Sequence, residues 1–161
     1  MLVVEDQDFM RRALRDYLQS AYPDAAIIEA ADGARALELC RSRSPRLVLM
    51  DMGLPDANGI DLTAQVKKML PHTAVIIVSQ HANHAYVERA RAAGAFAYIT
   101  KDKAYLELLP AVGRALGRAP SGGGHGDPGR AGHPARRWPV DDHCLRRHLR
   151  RPGPLPRRRT D

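Results

Sequence analysis

Short apolar runs alternate with longer amphipathic stretches along the first 118 residues. Leu2-Val3-Val4 has the pattern of a short buried strand and ends in the acidic pair Glu5-Asp6. Phe9, Ala13, Leu14, Tyr17 and Leu18 then recur at helical spacing, with Asp8 suited to the N-cap. Pro23 breaks that pattern, and Ala26-Ile27-Ile28 reads as a second strand. Asp32-Gly33 opens a helix carrying Ala36, Leu37 and Cys40, which stops before Pro45. Leu47-Val48-Leu49-Met50 forms a third strand ending at Asp51. The turn-rich loop from Leu54 to Gly59 leads into a helix through Leu62, Val66 and Met69, ended by Pro71. Ala74-Val75-Ile76-Ile77-Val78 is continuous and largely β-branched, as a strand buried on both faces should be. A helix of Tyr86, Val87, Ala90 and Ala93 closes at Gly94. Phe96, Tyr98 and Ile99 form a fifth strand, and Leu106, Leu109, Val112 and Leu116 mark a last helix.

Five strands alternating with five helices predict an α/β fold, a (βα)5 doubly wound five-stranded parallel sheet. Right-handed crossovers bring every strand's C-terminal end to one edge, and ligands of open sheets bind beyond that edge. Four strand ends carry polar candidates there: Glu5 and Asp6, Asp51, Ser79, and Lys101. Singly, each has a plain reading. An acidic residue after a strand is usually a turn former, a serine an N-cap, and a lysine a solvated charge. Together they are more specific. Three converging carboxylates repel one another without a cation, and Mg²⁺ accepts such a set. With Asp51 as nucleophile, Ser79 donating a hydrogen bond and Lys101 a charge, the set suffices for phosphorylation of a carboxylate.

Val3-Val4-Glu5-Asp6-Gln7, Leu49-Met50-Asp51-Met52-Gly53-Leu54-Pro55, Val78-Ser79 and Tyr98-Ile99-Thr100-Lys101-Asp102 resemble the receiver domains of bacterial two-component response regulators. Among these the chain is most similar to CheY-like receivers of the NarL/FixJ/LuxR-type regulators. The resemblance implies a flavodoxin-like strand order 2-1-3-4-5 and a histidine kinase as phosphodonor. It implies Asp51 as phosphoacceptor, Asp6 as direct metal ligand and Glu5 as its acidic neighbour. The carbonyl of Gly53 completes the implied Mg²⁺ site, and Ser79 and Lys101 form the switch. Tyr98 matches the aromatic that turns inward with the hydroxyl; the other reading is a half-buried strand aromatic. Gln80 departs from the small residue common after the switch hydroxyl. Gly53 and His81 match positions that tune the lifetime of the acyl phosphate.

The expected activity is self-phosphorylation and self-dephosphorylation only, not an enzyme acting on a separate substrate. Phosphorylation-linked homodimerisation is a further expectation. A flavin- or nucleotide-binding enzyme is disfavoured, because the loop after the first strand is acidic and lacks a glycine-rich cradle.

Charge separates the chain into two parts, expected to be a receiver domain at 1–118 and a basic tail at 119–161. The formal net charge is +7, yet residues 1–119 hold 15 Lys+Arg against 14 Asp+Glu. Residues 120–161 hold 10 Arg, no Lys and 4 Asp. Rich in Gly, Pro, Arg and His and without apolar periodicity, the tail is expected to be disordered. Arg146-Arg147 and Arg157-Arg158-Arg159 offer weak, nonspecific contact to nucleic acid. His143, Cys144 and His148 have no second ligand pair at zinc-like spacing. No helix-turn-helix pattern follows residue 118. The alternative reading is therefore a LuxR/NarL-type DNA-binding regulator whose output domain is missing or frame-shifted. The short run before Glu5-Asp6 is consistent with a start codon further upstream. Two cysteines, no secretory signal pattern and no membrane-length apolar run point to a cytoplasmic protein with no membrane partner.

Overall fold

The computed structural model describes residues 1–120. Its elements are β1 (Leu2–Val4), α1 (Asp8–Ala21), β2 (Ile28–Ala30), α2 (Gly33–Arg43), β3 (Leu47–Asp51) and α3 (Gly59–Met69). They continue with β4 (Ala74–Ser79), α4 (His84–Ala92), β5 (Ala97–Thr100), a single 3-10 turn (Lys101–Lys103) and α5 (Ala104–Leu116). All strand pairs are parallel, in the order β2-β1-β3-β4-β5, the flavodoxin-like order expected. The nucleic-acid contacts expected of Arg146, Arg147, Arg157, Arg158 and Arg159, and the residues His143, Cys144 and His148, lie outside the described residues.

The two-residue side-chain period of a strand divides the core in two. Leu2, Val4, Val48, Met50, Val75 and Ile77 pack against α2, α3 and α4 through Leu39, Cys40, Leu62 and Val66. Val3, Leu47, Leu49, Ile76, Val78 and Ile99 pack against α1 and α5 through Leu14, Leu18, Leu108 and Val112. β3 and β4 are therefore apolar up to their last residues, Asp51 and Ser79, because both faces are covered.

Several positions differ from the sequence reading. β2 begins at Ile28, the last residue of the predicted strand, because its ladder pairs Ile28, Glu29 and Ala30 with Leu2, Val3 and Val4. Glu29 is held there by ion pairs to Arg11 and Arg15, so a charged residue occupies the edge strand. Asp8 is the first helical residue of α1, not its cap. Gln7 takes the cap position without a side-chain hydrogen bond, and the Asp8 carboxylate pairs with Arg11 instead. Phe9 and Leu106, placed on apolar stripes, are 86% and 74% exposed. Both lie in the first turn of their helices with their side chains toward solvent, while Met10 and Ala104 of the same turns pack against the core. Pro110 lies inside α5 at an exposed position, where solvent can satisfy the carbonyl it leaves unpaired.

The loops at the C-terminal edge are tied by side-chain caps. Asp32, Asn58 and Asn83 accept from the N–H groups of Arg35, Ile60 and Ala85 at the starts of α2, α3 and α4. Asp56, at the tip of the β3–α3 loop, accepts from the N–H groups of Gly33 (2.8 Å) and Ala34 (2.9 Å). Those two bonds hold its carboxyl below the ordinary carboxylate range. A depressed folded pKa adds stability above the unfolded value, which is lost as pH falls through the folded value. Asp56→Ala should therefore melt earlier than wild type at neutral pH, and the gap should close in strong acid. Melting curves across an acid pH series check this.

Candidate functional site

Three strand ends put carboxylates and a cation in contact. Glu5 directly follows β1 and is fully buried, Asp6 is exposed, and Asp51 ends β3 with 6% exposure. Each offers a carboxylate oxygen, all within 4.8 Å of one another. Lys101 follows β5, and its Nζ lies 2.7 Å from Glu5 Oε2 and 3.1 Å from Asp51 Oδ1. Burial raises the Glu5 carboxyl pKa and repulsion from Asp51 adds to it, outweighing the Lys101 contact. Burial opposes the Lys101 charge, but hydrogen bonds to Glu5 and Asp51 prevail and raise its pKa. The ammonium therefore stays charged between two carboxylates.

Asp51 is oriented by its own chain. Its Oδ2 accepts from the Gly53 N–H at 3.0 Å, a turn that aims the carboxylate at the loop. The loop closes on itself through a Gly53–Asn58 bridge and a 3.0 Å hydrogen bond from Gly59 N–H to the Met52 carbonyl. Above Asp51 opens a cavity of about 160 Å³ lined by Asp6, Asp51, Met52, Gly53, Ser79 and Lys101, with Gln7, Gln80 and His81 at its wall. Glu5 and Tyr98 are not among its lining residues.

Ser79 ends β4 with 1% exposure. Its Oγ accepts from His81 N–H at 3.1 Å and lies 3.8 Å from Met52 Sδ. Tyr98 is buried among the residues that face α2, α3 and α4, and its hydroxyl donates to the His81 carbonyl at 2.8 Å. Burial raises its pKa, so it stays a protonated donor.

Two residues of the site had no sequence signal. Arg11, a turn into α1, donates from Nη1 to the carbonyl of Glu5 at 2.8 Å and so fixes the acidic segment from below. An arginine at an amphipathic boundary reads as a surface charge until the chain folds. Met52 reads as one more apolar residue after a strand, and only the fold brings its sulfur to Ser79 and Tyr98.

Glu5, Asp6 and Asp51 form a hard, all-oxygen donor set that suits a small divalent cation. A closed loop after β3, a half-buried lysine between two carboxylates and a hydroxyl across the cavity gather charged and polar groups at the C-terminal edge of a parallel sheet. Residues 1–112 match the description "Response regulator receiver domain". The chain belongs to that family and is a receiver domain of a two-component response regulator.

It is 33% identical over 120 residues to the transcriptional regulatory protein PdtaR of Mycobacterium tuberculosis, covering 73% of this chain and 57% of that protein. The chain thus spans about half the length of this curated relative. It is 31% identical over 116 residues to the chemotaxis protein CheY of Halobacterium salinarum, covering 72% of this chain and 95% of that one. A LuxR-family response regulator from Aurantimonas sp. SI85-9A1 superposes with a TM-score of 0.61 at 28% identity. That match covers 73% of this chain and 85% of the other. No helix among the described residues is long and apolar enough to cross a membrane.

Proposed function

We propose that this receiver, residues 1–118, accepts a phosphoryl group on Asp51 from a histidine kinase in the cytoplasm and changes shape in response. The observation that carries the reading is the Lys101 ammonium 3.1 Å from Asp51 Oδ1, beside two further carboxylates and an open cavity. An Asp51 carboxylate oxygen attacks phosphorus. The new P–O bond forms as the P–N bond of phosphohistidine breaks, and the departing imidazole nitrogen takes a proton from solvent. Lys101 then pairs with an oxygen of the transferred group, and the Ser79 hydroxyl donates to another.

Glu5, Asp6, Asp51 and the Gly53 carbonyl are the groups that would hold Mg²⁺. When bound, the ion neutralises charge on the phosphoryl oxygens. Arg11 and Gly53 N–H keep the acidic segment and Asp51 in place before the donor arrives. Water is limited by the burial of Glu5, Asp51 and Ser79. Tyr98 follows Ser79 and carries the change to the segment before α4 through its bond to the His81 carbonyl. Surfaces around α4, β5 and α5 are where a phosphorylation-linked homodimer or another output would be read. PdtaR, described as a transcriptional regulatory protein, supports a transcriptional output.

Incubation with a small acyl-phosphate donor tests the chemistry. Wild type should gain one phosphoryl mass by intact-protein mass spectrometry when Mg²⁺ is present and none with EDTA. Asp51→Asn should gain none under either condition. Labelling that ignores Mg²⁺ would remove the metal from the account.

A further inference from the structure

Met52 directly follows Asp51 and is 7% exposed, in the apolar cluster that faces α2, α3 and α4. Its thioether sulfur lies 3.8 Å from the Ser79 hydroxyl and 3.8 Å from the Tyr98 hydroxyl. The Tyr98 proton is committed to the His81 carbonyl at 2.8 Å, so Tyr98 touches the sulfur without donating to it. Ser79 Oγ is the acceptor for His81 N–H, which leaves the Ser79 proton to the Met52 sulfur. Both hydroxyls thus reach the one sulfur, and both are bonded to the main chain of His81.

A thioether is a weak acceptor, whereas a phosphoryl oxygen is charged and much stronger. A serine proton resting partly on sulfur is satisfied in the buried site yet costs little to withdraw. We propose that Met52 is a positioning residue that holds the Ser79 hydroxyl in its resting orientation and so sets how readily Ser79 turns to a phosphoryl group on Asp51. This rests on the phosphoacceptor reading above, but the role of Met52 is separable from it.

The test uses the full chain, Mg²⁺ and beryllofluoride, a phosphoryl mimic, with bound fluoride read by ¹⁹F NMR. Met52→Leu keeps volume and apolar character, a swap that cores tolerate, and removes the acceptor. It should bind beryllofluoride roughly three- to tenfold more tightly than wild type, the span of one modest hydrogen bond. In a Ser79→Ala background the same substitution should change nothing, since there is no hydroxyl proton to release. An unchanged affinity in Met52→Leu overturns the inference, as does an equal gain in both backgrounds, which would be a packing effect. Wild type that takes up no beryllofluoride would instead overturn the phosphoacceptor reading itself.

Discussion

In metal-free buffer at neutral pH, Lys101→Met should unfold about 3 kcal/mol more easily than wild type, because removing one partner leaves buried charge uncompensated. Among the described residues, Lys101 is the cation within 4.0 Å of both Glu5 and Asp51, whose side chains are 1% and 8% exposed. Without it, Glu5 keeps the burial and the Asp51 repulsion that raise its pKa and loses the contact that lowers it. A carboxyl with a raised folded pKa holds its proton more tightly when folded. The variant should therefore be most stable in acid and lose stability as pH climbs above the ordinary glutamate range. Mg²⁺ should recover much of the loss, by supplying the missing positive charge. Denaturant curves with EDTA and with Mg²⁺, at acid and neutral pH, give all three results. A variant as stable as wild type in EDTA would mean that the carboxylates are neutralised some other way.

Gly59→Ala should lose about 3 kcal/mol or more, since overpacking against a backbone that cannot yield is among the costly substitutions. A Cβ at Gly59 would stand 2.1 Å from the Asp51 carbonyl oxygen and 2.9 Å from Met52 Cα, and both contacts are backbone. The helix start and the strand end touch there with no room for a methyl group. Relief would have to move the β3 terminus, which carries Asp51, or the start of α3. Metal and phosphoryl binding should weaken together with stability. By contrast, a Cβ at Gly53 meets only Asp51 Oδ2 at 3.6 Å, an ordinary contact, so Gly53→Ala should fold nearly as well. Thermal melts of the two variants side by side separate the cases.

Much of this site is legible from residue order alone. Asp51, Ser79 and Lys101 each follow or end an apolar run, and a parallel sheet must bring such ends to one edge. The Glu5-Asp6 pair after Val4 is visible for the same reason. What hid was everything that depends on contacts between segments far apart in sequence. β2 could not be framed from Ala26-Ile27-Ile28, since its register is set by pairing with Leu2–Val4 and by salt bridges to Glu29. Phe9 and Leu106 satisfy helical periodicity but face solvent, while Met10 and Ala104 of the same turns meet the core. Arg11 and Met52 carry no pattern at all. Their partners are a main-chain carbonyl and two hydroxyls that only the folded chain places nearby.

The claim that Asp51 takes the phosphoryl group is met most directly by locating the label. Protein treated with an acyl-phosphate donor and Mg²⁺ would be reduced with borohydride, which converts an aspartyl phosphate to homoserine, and digested for peptide sequencing by mass spectrometry. A single conversion at Asp51, absent with EDTA, is the predicted result. Conversion at Asp6 or another carboxylate, with Asp51 intact, would contradict it.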